Sequence, residues 1–184
     1  WREIEITKKV KPVVVSMGNY AASGGYYIAA NADRIFAEPN TITGSIGVFG
    51  MLPNMNQLGK NIGINAEQVK THENASGYSV FEPIDENFKG FVLESIEKTY
   101  ATFLKRVADG RKMTTEQVDA IAQGRVWTGV DAHKLGLVDE IGGLDAAIKY
   151  AAKLGKTSSY RTENYPEYEK NFEDLLANFT GIAM

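Results

Sequence analysis

The chain has 184 residues, of which 43% are hydrophobic and 23% charged, and its formal net charge is −3. This length and composition fit one globular domain, and the slightly acidic charge argues against a nucleic-acid partner. The sequence contains no cysteine, which excludes disulfides, thiol catalysis and cysteine metal sites. Because the chain starts at Trp1 and not at methionine, we expect it to be a fragment of something longer.

Short apolar runs separated by glycine-rich or polar segments fill the first half of the chain. Each run is too short for a membrane span of about 20 residues but long enough for a buried strand or a short helix. A polar stretch over 71–82 is interpreted as a loop. In chain order, the pattern predicts strands over 13–16, 34–37, 41–49 and 64–70, and helices over 23–31 and 54–61.

The second half is dominated by helical periodicity. Apolar residues recur at helical spacing over 85–109, and Gly110 is expected to end that helix. Thr114 and Gln117 form a capping-box pattern that opens a short helix. Further elements are predicted as a strand at 125–129, helices at 130–135 and 144–154, an extended segment at 160–170 and a terminal helix at 172–179. Alternating strands and helices indicate the α/β class with mostly parallel strands.

Ser23 is the strongest candidate for a catalytic residue. It follows the strand run and a short turn, stands at the predicted start of a helix, and precedes Gly24 and Gly25. A serine in this position could act as a nucleophile, with the two glycine amides directed at a developing oxyanion. The alternative is a serine that only caps the helix, which is a common role. The segment alone leaves both interpretations open.

A serine nucleophile needs a base, and the sequence offers few. His133 is expected to be exposed on a short helix with polar neighbours, and His72 lies in the polar loop. Lys70, at the end of the predicted strand 64–70, is the best internal lysine, although a solvated lysine is the more common case. Ser95 to Lys98 matches the S-x-x-K pattern by letter, but it lies within the long helix and lacks the partner motifs. The spacing of histidines and carboxylates predicts no metal site, and the glycines form no phosphate loop.

Three segments together resemble the signal peptide peptidase A family, also called protease IV, of the S49 serine peptidases. The first is ASGGYYIA at 22–29. The second combines ADRI at 32–35 with TGSIGV at 43–48, and the third combines GRVWTG at 124–129 with GLVD at 136–139. Their order and spacing are similar to those of the family from about residue 11 to 152.

The resemblance implies a Clp protease/crotonase-like fold, a spiral of ββα units, and a Ser/Lys dyad that cuts peptide bonds in signal peptides and other hydrophobic segments. On this pattern Ser23 is the nucleophile and the Gly24 amide is one arm of the oxyanion hole. The strand that holds the substrate-binding candidates lies beside the cleft and helps to shape the substrate pocket. Those candidates are Thr43, Gly44, Ser45 and Ile46. No cofactor is implied.

Two departures from the family pattern concern the catalytic groups. The glycine-rich segment that supplies the other oxyanion amide precedes the serine in the family, and this chain begins too late to contain it. Half-length relatives carry the dyad lysine about where Ala75 and Ser76 stand here. We therefore expect the C-terminal half of a double-length enzyme, with its peptidase domain over 1–154 and an extension over 155–184. The absent N-terminal half would then supply the lysine.

The resemblance also implies partners and a location. We expect hydrophobic peptide substrates, contact with the N-terminal half of the same protein, a homo-oligomer and no nucleic acid. The expected location is the bacterial inner membrane, with the catalytic domain on the extracytoplasmic side. Two rival functions remain: an acyl-CoA enzyme on a crotonase-like fold, and a non-catalytic assembly domain.

Overall fold

Two small β-sheets form the centre of the protein, and the computed structural model describes them within residues 1–72, 75 and 77–166. The strands are β1 (Val14–Met17), β2 (Tyr20–Ala22), β3 (Arg34–Ala37), β4 (Ile42–Gly44), β5 (Val126–Thr128) and β6 (Glu140–Ile141). One sheet has the strand order β1-β3-β6 and the other β2-β4-β5. The first four strands therefore alternate between the two sheets.

Helices cover the sheets, and the sequence signals explain where several of them start. Asp85 accepts a hydrogen bond from the Phe88 N–H at the start of the longest helix, and Thr114 and Gln117 form a complete capping box. The helices are α1 (Arg2–Lys8), α2 (Gly24–Ala29), α3 (Asn56–Asn61), α4 (Glu86–Arg111), α5 (Thr115–Ile121), α6 (Gly129–Lys134) and α7 (Leu144–Leu154).

Strand pairing confirms the predicted α/β class and the expected ββα units of a Clp protease/crotonase-like fold. The first unit is β1, β2 and α2, and the second unit adds β3 to the first sheet and β4 to the second. Pairs β1–β3, β3–β6 and β2–β4 are parallel. Strand β5 pairs antiparallel with β4, with Thr43 opposite Trp127, so the strands are mostly parallel, as predicted.

Three local predictions were wrong. The strand predicted over 41–49 covers only Ile42–Gly44. Residues 64–70 form no strand; Val69 is fully exposed, so the segment has neither a paired neighbour nor a buried face. Helix α4 does not stop at Gly110 but continues to Arg111, and Lys112 closes it in the left-handed conformation with φ 55°. A Cβ on Gly110 would lie 2.2 Å from the Ala30 carbonyl oxygen, so the glycine permits close helix contact and does not end the helix.

Buried polar contacts hold helix α2 against the rest of the core. Tyr26 is fully buried, and its O–H donates to the Leu137 carbonyl oxygen at 2.8 Å. The segment that carries Leu137 is in turn fixed by Arg111, which donates to Gly136 O at 2.9 Å and binds both carboxylate oxygens of Asp139. The start of α2 therefore lies on a rigid support.

Some predictions fall on residues that the structure leaves undescribed. The terminal helix at 172–179 lies outside the described residues, as does the end of the extended segment at 160–170. Most of the proposed extension 155–184 lies there too, so that domain division stays a prediction. Within the described residues, none of the helices combines the length and the apolar character that crossing a membrane requires.

Candidate active site

Ser23 occupies the turn between β2 and α2 in a backbone conformation that serines rarely adopt. Its φ of 51° and ψ of −116° lie close to the first central position of a type II′ turn, where glycine dominates. Such a conformation costs about 1–3 kcal/mol and persists only where the surroundings enforce it. Here the Ser23 N–H donates to the Gly44 carbonyl oxygen at 2.9 Å, and the Ser23 carbonyl accepts from the Tyr27 N–H at 2.8 Å.

The Ser23 side chain is exposed and makes no capping hydrogen bond to helix α2. The helix-cap interpretation of Ser23 is therefore not supported by the side-chain geometry. Among the described hydrogen bonds, none uses the Gly24 N–H, whereas the Ser23 N–H is already engaged by β4. The turn thus presents a free hydroxyl and a free amide side by side.

A cleft of about 750 Å³ opens in front of this turn. Its walls come from helix α2, the segment after β4, helix α4 and the loop before β5. The lining residues are Ser23, Gly24, Tyr27, Ser45, Gly47, Val48, Phe49, Ile96, Glu97, Thr99, Tyr100, Phe103, Gln123 and Gly124. Six of these fourteen residues carry aliphatic or aromatic side chains, which suits a largely apolar ligand.

Two backbone segments meet at the floor of the cleft and leave no room for side chains. Ser45 N–H donates to Arg125 O at 2.7 Å, and Gly124 N–H donates to Ile46 O at 2.9 Å. A Cβ on Gly47 would lie 2.7 Å from the Gly124 backbone, and a Cβ on Gly44 would lie 2.7 Å from the Trp127 ring. The glycines of the TGSIG segment are therefore required by close packing.

The four substrate-binding candidates occupy different positions. Ser45 lines the cleft. Thr43 and Ile46 are fully buried; Thr43 Oγ1 donates to Ala21 O at 2.7 Å. Gly44 faces Trp127 and accepts the hydrogen bond from Ser23. Their proposed role in binding stays a prediction, and only Ser45 could take part through its side chain.

The candidate bases are not brought to Ser23. Lys70 is exposed in the irregular segment after α3, and it does not line the cleft. His72 pairs with its neighbour Thr71, and His133 is exposed, as expected, with Nδ1 3.2 Å from Val138 O. Within the described part of the chain, the cleft lining holds no lysine, arginine or histidine. Cations of the kind that bind coenzyme A phosphates are thus not in the lining either.

Helix α4 contributes cleft residues that sequence reasoning missed. Phe103 packs edge-on against Tyr27, with ring centroids 5.1 Å apart. Tyr100 O–H donates to Asp119 Oδ1 at 2.5 Å, and its oxygen accepts from the Gln123 N–H at 3.1 Å. Burial and the Asp119 hydrogen bond raise the pKa of Tyr100. Helical periodicity predicted α4 itself, but not which of its residues face Ser23.

Comparison with known protein sequences shows which family the chain belongs to. The model of Peptidase family S49 matches residues 5–158. The chain belongs to peptidase family S49. It is 42% identical to Protease 4 of Salmonella typhi over 171 residues, and 47% identical to Protease 4 of Haemophilus influenzae over 154 residues. These alignments cover 93% and 83% of this chain.

A plant relative and a solved structure complete the comparison. The chain is 41% identical over its whole length to the chloroplastic serine protease SPPA of Arabidopsis thaliana. The chain spans only 25–28% of the length of these three S49 relatives. An enoyl-CoA hydratase/isomerase family structure from Hyphomonas neptunium is similar to 93% of this chain and 53% of its own, with 16% identity and a TM-score of 0.44.

Proposed function

We propose that this chain carries the nucleophile of a serine endopeptidase that cleaves apolar peptides. The observation that carries the proposal is Ser23, held in a glycine-like conformation with an unengaged side chain at the mouth of an apolar cleft. Strained serines on strand-to-helix turns are typical of nucleophiles, because the turn pushes the hydroxyl out of the backbone. Membership of family S49 supports the same chemistry.

In the proposed reaction, Ser23 Oγ attacks the carbonyl carbon of the scissile peptide bond while its proton passes to a neutral lysine amine. The carbonyl oxygen becomes negatively charged and accepts a hydrogen bond from the Gly24 N–H. Collapse of this intermediate breaks the C–N bond, and the lysine returns the proton to the leaving amine. Water then attacks the acyl-serine ester, releases the acid and regenerates Ser23.

We place the lysine in a part of the protein outside this chain. The cleft lining supplies no lysine from the described residues, and the chain corresponds to about a quarter of the S49 relatives' length. Lys70 remains the internal alternative, although it would have to move from its exposed position into the cleft. The Ser/Lys dyad is therefore proposed to form between two segments of one protein.

The substrates, partners and location are proposed from the cleft lining and from membership of family S49. The apolar cleft favours hydrophobic peptides, including cleaved signal peptides. Following the resemblance to the signal peptide peptidase A family, we propose the extracytoplasmic face of the bacterial inner membrane as the working location. Contact with an N-terminal half and with further copies of the protein would enclose the cleft, which would exclude water from the dyad.

Turnover of a fluorogenic apolar peptide by the full-length protein tests the proposal. Ser23→Ala should reduce turnover by at least about 10³-fold, whereas Ser16→Ala on β1, outside the cleft, should retain turnover within about twofold. Replacement of the proposed lysine should match the effect of Ser23→Ala. Undiminished turnover in Ser23→Ala would contradict the proposal and favour a non-catalytic domain.

A further inference from the structure

The cleft contains one formally charged residue among its described lining, Glu97 on helix α4. Every other lining residue is neutral at pH 7, and several are aromatic or aliphatic. A single carboxylate on an apolar wall lets the cleft distinguish ligands by charge, because it favours a ligand with one cationic group and disfavours an anionic ligand.

No described hydrogen bond or ion pair uses the Glu97 carboxylate. The positions one turn away on α4 are Leu93, Glu94, Tyr100 and Ala101, so the helix places no cation beside it. The nearby Lys98 is paired with Glu94 at 2.5 Å. Glu97 therefore presents its charge to the cleft, while the other two charges on this stretch of α4 pair with each other.

The position of Glu97 along α4 sets a distance from the nucleophile. We take Phe103 as the reference point on α4, because it packs against Tyr27, whose N–H donates to the Ser23 carbonyl oxygen. Glu97 lies six residues earlier, which is about 9 Å along the helix. An extended peptide advances about 3.3 Å per residue, so this distance corresponds to about three residues.

We propose that Glu97 is a specificity-determining residue that selects apolar peptides with a lysine or arginine two to four residues from the cleaved bond. The inference rests on the proposed peptidase function and adds a charge requirement to it. The Glu97 carboxylate pairs with the basic side chain at the solvent-exposed part of the cleft, while the apolar wall holds the neighbouring residues of the peptide.

Binding to the full-length Ser23→Ala protein tests this without depending on turnover. A fluorescent apolar peptide with one lysine, scanned over four positions on either side of the central residue, is compared with the glutamine peptide at each position. In about 0.01 M salt the lysine peptide should bind about two- to fivefold more tightly at the matching position. In about 1 M salt, where the screening length falls from about 30 Å to about 3 Å, the difference should disappear.

Three variants separate the contribution of Glu97 from general charge effects. Glu97→Gln should abolish the lysine preference, and Glu97→Lys should reverse it toward a glutamate peptide. Glu67→Gln, at an exposed carboxylate outside the lining that pairs with no described cation, is the matched control and should keep the preference. Equal binding of lysine and glutamine peptides at every position, or a preference that survives Glu97→Gln, would overturn the inference but leave the peptidase proposal intact. Failure of all the peptides to bind would overturn both.

Discussion

The Ser23 N–H donates to the Gly44 carbonyl oxygen at 2.9 Å, and this bond joins the backbone of the proposed nucleophile to strand β4. It engages the serine's own amide and leaves the next amide, that of Gly24, available for an oxyanion. The same bond extends the parallel pairing of β2 with β4 into the turn. The strained conformation of Ser23 is thus held by the sheet beside it.

The strain at Ser23 predicts an unusual stability effect. Ser23→Gly should raise the free energy of unfolding by about 1 kcal/mol, because glycine adopts φ 51° without steric cost and the gain exceeds its entropic penalty. Ser23→Ala keeps the Cβ and should change stability by less than about 0.5 kcal/mol. Urea unfolding of the three proteins measures both effects. Equal stability of the glycine and alanine variants would show that the turn is not strained.

Gly24→Ala should separate catalysis from folding. An added Cβ at Gly24 meets no protein atom within 4 Å, so the melting temperature should stay unchanged. Because Gly24 lines the cleft, the methyl group would occupy space beside the reacting carbonyl, and kcat/KM should fall by about tenfold, or about 1.4 kcal/mol. Steady-state kinetics of the full-length protein and a thermal melt test the two halves of this prediction. Unchanged kcat/KM would place the substrate away from Gly24.

Two glycines of helix α4 should respond oppositely to alanine. Gly110→Ala should lower the free energy of unfolding by at least about 2 kcal/mol, because its Cβ would lie 2.2 Å from Ala30 O, a backbone atom. A Cβ on Gly90 would meet nothing within 4 Å, so Gly90→Ala should raise the free energy of unfolding by about 0.5–1 kcal/mol through higher helix propensity. Denaturant unfolding compares the pair. Equal effects would mean that α4 does not pack closely on α2.

The ion pair between Arg111 and Asp139 predicts an acid-dependent loss of stability. Burial alone would raise the pKa of Asp139, but the Arg111 hydrogen bonds and charge and the Ile35 N–H outweigh it and hold the pKa below its usual range. The ionised form therefore adds stability above about pH 4, and this contribution is lost as the pH falls through the lower pKa of the folded state.

Asp139→Asn should consequently lower the free energy of unfolding by about 3 kcal/mol at pH 7, with a deficit that shrinks below pH 4. Asp109→Asn, whose partner Lys105 lies 3.8 Å away on the exposed side of α4, is the control and should change stability by less than about 0.5 kcal/mol. Urea titrations at several pH values measure both variants. A deficit that does not vary with pH would exclude the ionised carboxylate as its source.

Local sequence signals predicted the elements that depend on local interactions. Helix α7 has the predicted bounds because its apolar stripe ends at Gly155, and α5 starts at its capping box. The strand prediction over 64–70 was wrong because a strand needs a neighbouring strand to pair with, and a few apolar residues in the sequence do not show whether one is present.

The cleft is formed by contacts between residues that lie far apart in the sequence, and local sequence patterns do not predict such contacts. Ser23 could be singled out from its flanking glycines, but its positive φ follows from the sheet contact with Gly44. Phe103 and Glu97 reach the cleft because Gly110 allows α4 to approach α2, a pairing across about 80 residues of sequence. Gly110 itself carried a misleading signal, since glycine both ends helices and permits their close contact.

Covalent labelling by a serine-reactive fluorophosphonate probe, with the labelled residue mapped by mass spectrometry, tests the central claim most directly. The full-length protein should be labelled at Ser23 and at no other serine, and the chain alone should be labelled far more slowly if, as proposed, the dyad lysine lies outside it. Labelling of the chain alone at the full rate, lost in Lys70→Ala, would place the base within this chain. Absence of label at Ser23 in the full-length protein, with label at another serine or none, would contradict the assignment of Ser23 as the nucleophile.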